Sequence, residues 1–176
     1  PLIREFVPLA ALDQLVFVFL YIFSDNVYEA ASHAKVLDQR LLDDLKDDLS
    51  SINPMSAVFD SHYVRNINGP NVKKGASKME LAEQLMEDIR QFRDKNQCER
   101  VVMVWCASTE AYLQAGPVHF SLAAFEEGLR NNDPGIAPSQ IYAYAALKCK
   151  VPFANGAPNL TCDIPALLEL SIREKT

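Results

Sequence analysis

The sequence has no Cys-x-x-Cys pair, no His/Cys/Asp cluster at metal-ligand spacing, no Gly-x-Gly-x-x-Gly turn, no internal repeat and no low-complexity tract. Its four cysteines (Cys98, Cys106, Cys149, Cys162) and three histidines are scattered singly, so a structural zinc site is not expected. An even cysteine count is compatible with disulfides. No secretory leader is visible, however, and reduced thiols in a cytoplasmic protein are the expectation. Positive charge is scarce. Seventeen Lys and Arg face 23 Asp and Glu, a net charge of -6, which argues against a nucleic-acid surface. No apolar run reaches bilayer length. Leu15 to Phe23 is the most hydrophobic stretch, and a span takes about 20 apolar residues. A central sheet strand is the better reading of it, with a membrane contact as the alternative. That run contains no charge, Pro or Gly to discourage pairing with another chain, so self-association is expected wherever it is uncovered.

What is present is a globular composition, 49% hydrophobic and 23% charged over 176 residues, enough for one domain with its own core. Residues 1–14 read as a loop approaching the strand 15–23. Asp25 or Asn26 caps a predicted helix to about Ser50, with Ala30, Ala31, Ala34, Leu37, Leu41, Leu45 and Leu49 on one stripe. Residues 51–76 hold two prolines, two glycines and several Asn, and read as a long irregular connection. Ser77-Lys78-Met79-Glu80 matches a capping box, ahead of a helix that ends near Asn96 and turns Leu81, Leu85, Ile89 and Phe92 to the core. Glu87, Asp88, Arg90 and Arg93 form its solvated face. A strand over 100–106, a helix over 117–131 and a loop from Asn132 to Pro138 come next. Pro138 then opens a helix to Lys148, a short strand covers 151–154, and a last helix follows Asp163 with Pro165 in its first turn. Strands alternating with helices predict an α/β domain with a mainly parallel sheet.

Two of these strands stop abruptly at small polar residues: Val101-Val102-Met103-Val104-Trp105-Cys106-Ala107-Ser108-Thr109-Glu110, and Val151-Pro152-Phe153-Ala154-Asn155-Gly156-Ala157-Pro158-Asn159-Leu160-Thr161. Open α/β sheets bind ligands just beyond the carboxyl ends of their strands. Ala107, Ser108, Thr109, Asn155, Gly156 and Asn159 fall at that place. Short hydroxyls and backbone amides there suit ribose or phosphate oxygens, and Gly156 permits close approach or a positive φ. The bland alternative is a pair of ordinary strand-to-helix loops, with Thr109 or Asp163 merely capping a helix. Gly69-Pro70-Asn71-Val72-Lys73-Lys74-Gly75 lacks the order of a P-loop. A solvated basic turn is the preferred reading, with Lys73 and Lys74 as point charges for a sugar phosphate as the alternative.

The same residues resemble one family, myo-inositol-1-phosphate synthase (inositol-3-phosphate synthase). Its members carry Trp-x-x-x-Thr-Glu after one sheet strand and Asn-Gly-(Ser/Ala)-Pro-x-x-Thr after the next. Here these are Trp105 to Glu110 and Asn155 to Thr161. The resemblance looks closest to the bacterial branch. It extends to Asp25-Asn26-Val27-Tyr28-Glu29-Ala30-Ala31, to Gly69 through Gly75, and to Ile141-Tyr142-Ala143-Tyr144-Ala145-Ala146-Leu147, and so runs through nearly the whole chain.

That resemblance implies a Rossmann-like three-layer domain with a mainly parallel sheet, incomplete at both ends, in which residues 1–176 are a partial NAD-binding domain without the family's catalytic and oligomerisation part. It implies NAD as cofactor, held in part by Ala107, Ser108, Thr109, Asn155, Gly156, Ala157 and Pro158. The family isomerises D-glucose 6-phosphate to 1L-myo-inositol 1-phosphate: a hydride leaves C5, an enolate closes on the C1 aldehyde, and the hydride returns. Lysines stabilise the oxyanions. It further implies a homo-oligomeric, cytoplasmic parent enzyme with no nucleic-acid or membrane partner. Three departures matter. Relatives carry Gly-Gly-Trp-Asp where this chain has Val18-Phe19-Leu20-Tyr21, and Tyr21 cannot replace a carboxylate. Their Gly-rich dinucleotide turn lies upstream of Pro1, and their catalytic lysines lie downstream of Thr176. The 176 residues alone are therefore expected to bind NAD weakly or not at all and to cyclise nothing. A non-catalytic remnant, or an assembly module for a longer synthase, is the alternative.

Overall fold

The computed structural model of the chain describes residues 2–107 and 109–176. They form two compact units, one made of residues up to Phe19 with Asp25–Asn53, the other of Leu20–Ser24 with Pro54–Thr176.

In the smaller unit, single 3-10 turns at Ile3–Glu5 and Leu12–Gln14 precede three short helices: α1 (Val27–Ala34), α2 (Gln39–Asp44) and α3 (Lys46–Ser51). Asn26 is the cap that opens α1. Its Oδ1 accepts from the Glu29 amide at 3.0 Å while Glu29 Oε2 accepts from the Asn26 amide at 3.0 Å. The expected single helix to Ser50 is not formed. Lys35 adopts a left-handed conformation (φ 52°) that ends α1, and Asp38 restarts the chain by capping the Arg40 amide at 2.8 Å. No residue of the predicted stripe is buried: Ala34, Leu37, Leu41 and Leu45 are exposed and Ala30, Ala31 and Leu49 half-buried, while the leucine that does turn inward is Leu42, outside the stripe.

The run 15–23 is likewise not one buried strand. Only Leu20–Tyr21 (β1) pairs, in parallel, with Met55–Ser56 (β2), in the register Leu20↔Met55 and Tyr21↔Ser56. Leu15, Val16 and Phe17 are exposed, Phe17 by 67%. Apolar residues make a strand only where a neighbouring strand accepts their backbone groups, and here that partner is two residues long.

The larger unit holds a second parallel pair, β3 (Met103–Trp105) with β4 (Phe153–Asn155), in the register Met103↔Phe153, Val104↔Ala154 and Trp105↔Asn155. Both strands are shorter than the sequence suggests. Around them pack α4 (Lys78–Lys95), α5 (Leu122–Arg130), α6 (Pro138–Lys148) and α7 (Pro165–Glu174). α6 is the core helix. Pro138 through Leu147 are all buried, apolar on every side beyond the polar Ser139 and Gln140 of the first turn, and α4 and α7 lie against the helix. Leu85, Phe125, Leu129, Ile141, Leu167 and Leu170 fill the space between them. The predicted α/β class with parallel strands is the observed one.

The helix ends follow local chemistry with three adjustments. Ser77 Oγ caps α4 by accepting from the Glu80 amide at 3.1 Å, but the Glu80 carboxylate reaches the Ala76 amide (2.7 Å) rather than closing a reciprocal box. The predicted helix 117–131 divides into a 3-10 turn at Pro117–His119 and α5, because Ser121 caps afresh by accepting from the Ala124 amide at 3.2 Å. Before α7 the cap position is Ile164, not Asp163, with Pro165 in the first turn. No helix among the described residues is long and apolar enough to cross a membrane.

Candidate functional site

The loops leaving β3 and β4 are joined at the carboxyl edge of their sheet. The Gly156 amide donates to the Trp105 carbonyl at 2.8 Å, carrying the ladder one step past the strands. A β-carbon at Gly156 would lie 2.9 Å from that oxygen. No described glycine has a positive φ, so close approach is the reason for glycine here. Asn155 spends its side chain on its own loop: Oδ1 accepts from the Ala157 amide (3.0 Å), and Nδ2 donates to the Asn159 carbonyl (3.2 Å).

A cleft of about 580 Å³ opens beside this loop, lined among others by Tyr112, Asn155, Ala157, Pro158, Asn159 and Asp163. Asn155, Ala157 and Pro158 thus line it together. Ala107, Thr109 and Gly156 are exposed at the strand ends outside that lining, and Ser108 lies outside the described residues.

Beneath the loops lies a buried polar cluster in which the sequence gives Glu110 and Ser139 no role. Glu110 is 3% exposed. Its Oε1 accepts from the Ser139 amide at 2.9 Å, in the first turn of α6, and its Oε2 accepts from the Ser139 hydroxyl. Asn159 Nδ2 lies 3.1 Å from Glu110 Oε2, 3.0 Å from Ser139 Oγ and 2.9 Å from Thr161 Oγ1. Asn159, a ligand-facing candidate by sequence, is therefore turned inward. Burial raises the Glu110 carboxyl above its usual range, and the Ser139 bonds oppose that rise. The available signal was the charge itself: a Glu directly after a buried strand must find donors or leave the interior.

The segment Gly69–Gly75 is neither a solvated turn nor a phosphate loop. It lies across the ends of β1 and β2. Ala57 and Val72 form a parallel bridge, the Asn71 amide donates to the Ile22 carbonyl (2.9 Å), and Asn71 Nδ2 donates to the Tyr21 carbonyl (2.9 Å). Gly69 sits where a β-carbon would be 2.1 Å from the Ile22 oxygen. Lys73 is withdrawn from any ligand, because its Nζ lies 2.6 Å from Asp88 Oδ2 and its side chain is only 9% exposed. Asp88 accordingly leaves the solvated face predicted for α4, on which Glu87 and Arg90 remain exposed.

Lys74 does border a second cleft, of about 600 Å³, beyond β2, with Asp60, His62, Tyr63 and Lys78. His62 Nδ1 pairs with Asp60 Oδ1 at 2.7 Å. Lys78 Nζ donates to the carbonyls of Asp133 (2.7 Å) and Ile136 (2.6 Å) and lies over the Tyr63 ring. Burial lowers the Lys78 pKa, with Asp60 and Asp133 pulling the other way, and burial pushes the Tyr63 phenol up to about 12.

A parallel α/β domain with small-residue loops at its strand ends is the architecture of a nucleotide-cofactor domain. Residues 1–176 match an NAD-binding family model described as myo-inositol-1-phosphate synthase. The chain belongs to the myo-inositol-1-phosphate synthase family. It is 48% identical over 171 residues to inositol-3-phosphate synthase 1 of Bacteroides thetaiotaomicron, covering 97% of this chain and 40% of that protein. Against inositol-3-phosphate synthase 1 of Oryza sativa subsp. japonica the identity is 33% over 178 residues, covering 98% and 34%. The crystal structure of inositol-3-phosphate synthase from Caenorhabditis elegans superposes with a TM-score of 0.91 at 28% identity, over 98% of this chain and 34% of that one. The chain thus spans 40% or less of the length of these relatives.

Proposed function

We propose that this chain contributes part of the NAD cradle of an inositol-3-phosphate synthase. The reaction would be NAD-dependent isomerisation of D-glucose 6-phosphate to 1L-myo-inositol 1-phosphate, in a cytoplasmic homo-oligomer. The observation that carries the reading is the junction of the two loops, where Gly156 N meets Trp105 O at 2.8 Å beside exposed small residues. Bound there, NAD would supply hydride acceptance and return.

The chain's own residues have narrower tasks. Gly156 keeps the loop after β4 pressed on Trp105, since any β-carbon would meet that carbonyl at 2.9 Å. Ala157 and Pro158 offer a low apolar wall along the cleft, and Asn155 fixes the turn that presents them. Ala107, Ser108 and Thr109 would contribute short side chains and backbone amides from the opposite loop. These side chains cradle and orient; they are not the lysines that stabilise oxyanions in the family.

Weak affinity is expected, on the order of a millimolar dissociation constant. Val18-Phe19-Leu20-Tyr21 puts bulk and no carboxylate where relatives carry Gly-Gly-Trp-Asp, and Tyr21 packs its ring 5.4 Å from Phe23. An amide chemical-shift titration of the 176-residue chain with NAD tests the reading. Shifts concentrated at Ala107, Thr109, Gly156 and Ala157 are expected. Saturating NAD with no shift at these residues would refute it.

A further inference from the structure

We propose that Glu110 is a positioning residue: its buried carboxylate couples the loop after β3 to the loop after β4 on the first turn of α6. The inference rests on the reading of those loops as an NAD edge, but its first readout does not need NAD.

Three elements meet at this one side chain. Glu110 follows Thr109 directly in the first loop. Asn159 and Thr161 belong to the second loop, and Ser139 is the second residue of α6. The Ser139 amide bond at 2.9 Å fixes the first loop to the helix, and the Asn159 contact at 3.1 Å fixes the second loop to the first. Thr161 Oγ1, 3.0 Å from Ser139 Oγ, closes the ring back to the helix. Asn159 and Glu110 are the most exposed members, at 6% and 3%. Water therefore cannot replace a lost partner, and a broken bond leaves a buried group unsatisfied.

The chemistry also calls for a carboxylate. Three donors converge on it: the Ser139 amide, the Ser139 hydroxyl and the Asn159 amide. Two carboxylate oxygens accept all three. A glutamine offers one oxygen and sets its NH2 against the Asn159 NH2. The consequence reaches outward through a short tether, since Gly156 and Ala157 lie within three residues of Asn159 and Thr109 adjoins Glu110. The groups lining the proposed edge take their positions from a joint that is itself almost wholly buried.

The test uses the 176-residue chain, with hydrogen exchange of the two loops measured without NAD and NAD affinity measured by titration. Glu110→Gln is expected to speed exchange in both 106–111 and 155–161 and to weaken NAD about tenfold, the loss of one or two bonds to a charged group. Pairing it with Asn159→Asp exchanges donor for acceptor, and the double variant is expected to recover slow exchange and affinity together. Faster exchange confined to one loop, or a double variant no better than Glu110→Gln, would overturn the coupling. So would unchanged affinity once both loops have loosened. Should Glu110→Gln fail to fold, Asn159→Ala decides the matter: faster exchange at 106–111 supports the coupling and unchanged exchange there refutes it. If wild type does not bind NAD, the proposed function falls, and the exchange data alone decide the coupling.

Discussion

Gly156 donates its amide to the Trp105 carbonyl across 2.8 Å, and the same carbonyl oxygen lies 2.9 Å from where a Gly156 β-carbon would be. One contact thus fixes both the junction of the two loops and the size limit of the residue at it. Gly156→Ala is predicted to push the loops apart and to cost roughly 1–2 kcal/mol, an overpacking effect without backbone strain. Urea denaturation should show the loss, and a stability equal to wild type would mean that the loop shifts freely.

Lys73 and Asp88 provide a second test. With Lys73 only 9% exposed and Asp88 22%, removing one partner leaves a poorly solvated charge. Lys73→Ala is predicted to destabilise by roughly 2–3 kcal/mol, somewhat below the range for fully buried pairs because Asp88 retains some water. Lys74→Ala, one residue on at an exposed position, is predicted to change little. Lys73→Met with Asp88→Leu should recover most of the loss. Equal denaturation midpoints for the two single lysine variants would show that the Lys73 pair contributes nothing.

Glu110 gives stability a definite pH dependence. Burial raises its carboxyl above the ordinary 4.5. The folded state then holds the proton more tightly than the unfolded state. Below 4.5 the protonated group carries no desolvation cost, and as pH rises through the folded value that cost appears, offset in part by the Ser139 bonds to the carboxylate. Denaturation of wild type and Glu110→Gln from about pH 4 to about pH 7 isolates this effect. The stability of wild type relative to the variant should fall with rising pH, and parallel curves would contradict it.

The elements that the sequence discloses are those fixed by neighbours in the chain. Asn26 with Glu29, Ser77, Pro138 and Pro165 each mark a helix start through contacts a few residues long, and all four starts are observed. What stayed hidden depends on distant partners. The strand expected over 15–23 shrank to Leu20–Tyr21 because the backbone it pairs with is Met55–Ser56. Asn71 reads as part of a basic turn until its side chain is seen bonded to Tyr21, 50 residues away. Glu110 carries no visible role until Ser139 and Asn159, 29 and 49 residues on, close around it. The helical break at Lys35 is different in kind: a left-handed φ of 52° at a lysine leaves no compositional mark.

The arm before β1 carries a prediction about association. Phe17 is 67% exposed and is flanked by the exposed Val16 and Leu15. Exposed apolar chain of this kind recruits other copies. Phe17→Lys is predicted to lower self-association in sedimentation velocity without altering the denaturation midpoint. A wild type that sediments as monomer at high concentration would contradict this.

The central claim is that NAD lies along the loops that follow β3 and β4, and a crystal structure of the chain grown with saturating NAD tests it most directly. The account predicts dinucleotide density against Ala107–Thr109 and Gly156–Pro158, with Glu110 still bonded to Ser139 and Asn159. Density in the other cleft, among Asp60, Lys74 and Lys78, with the two loops bare, would contradict it.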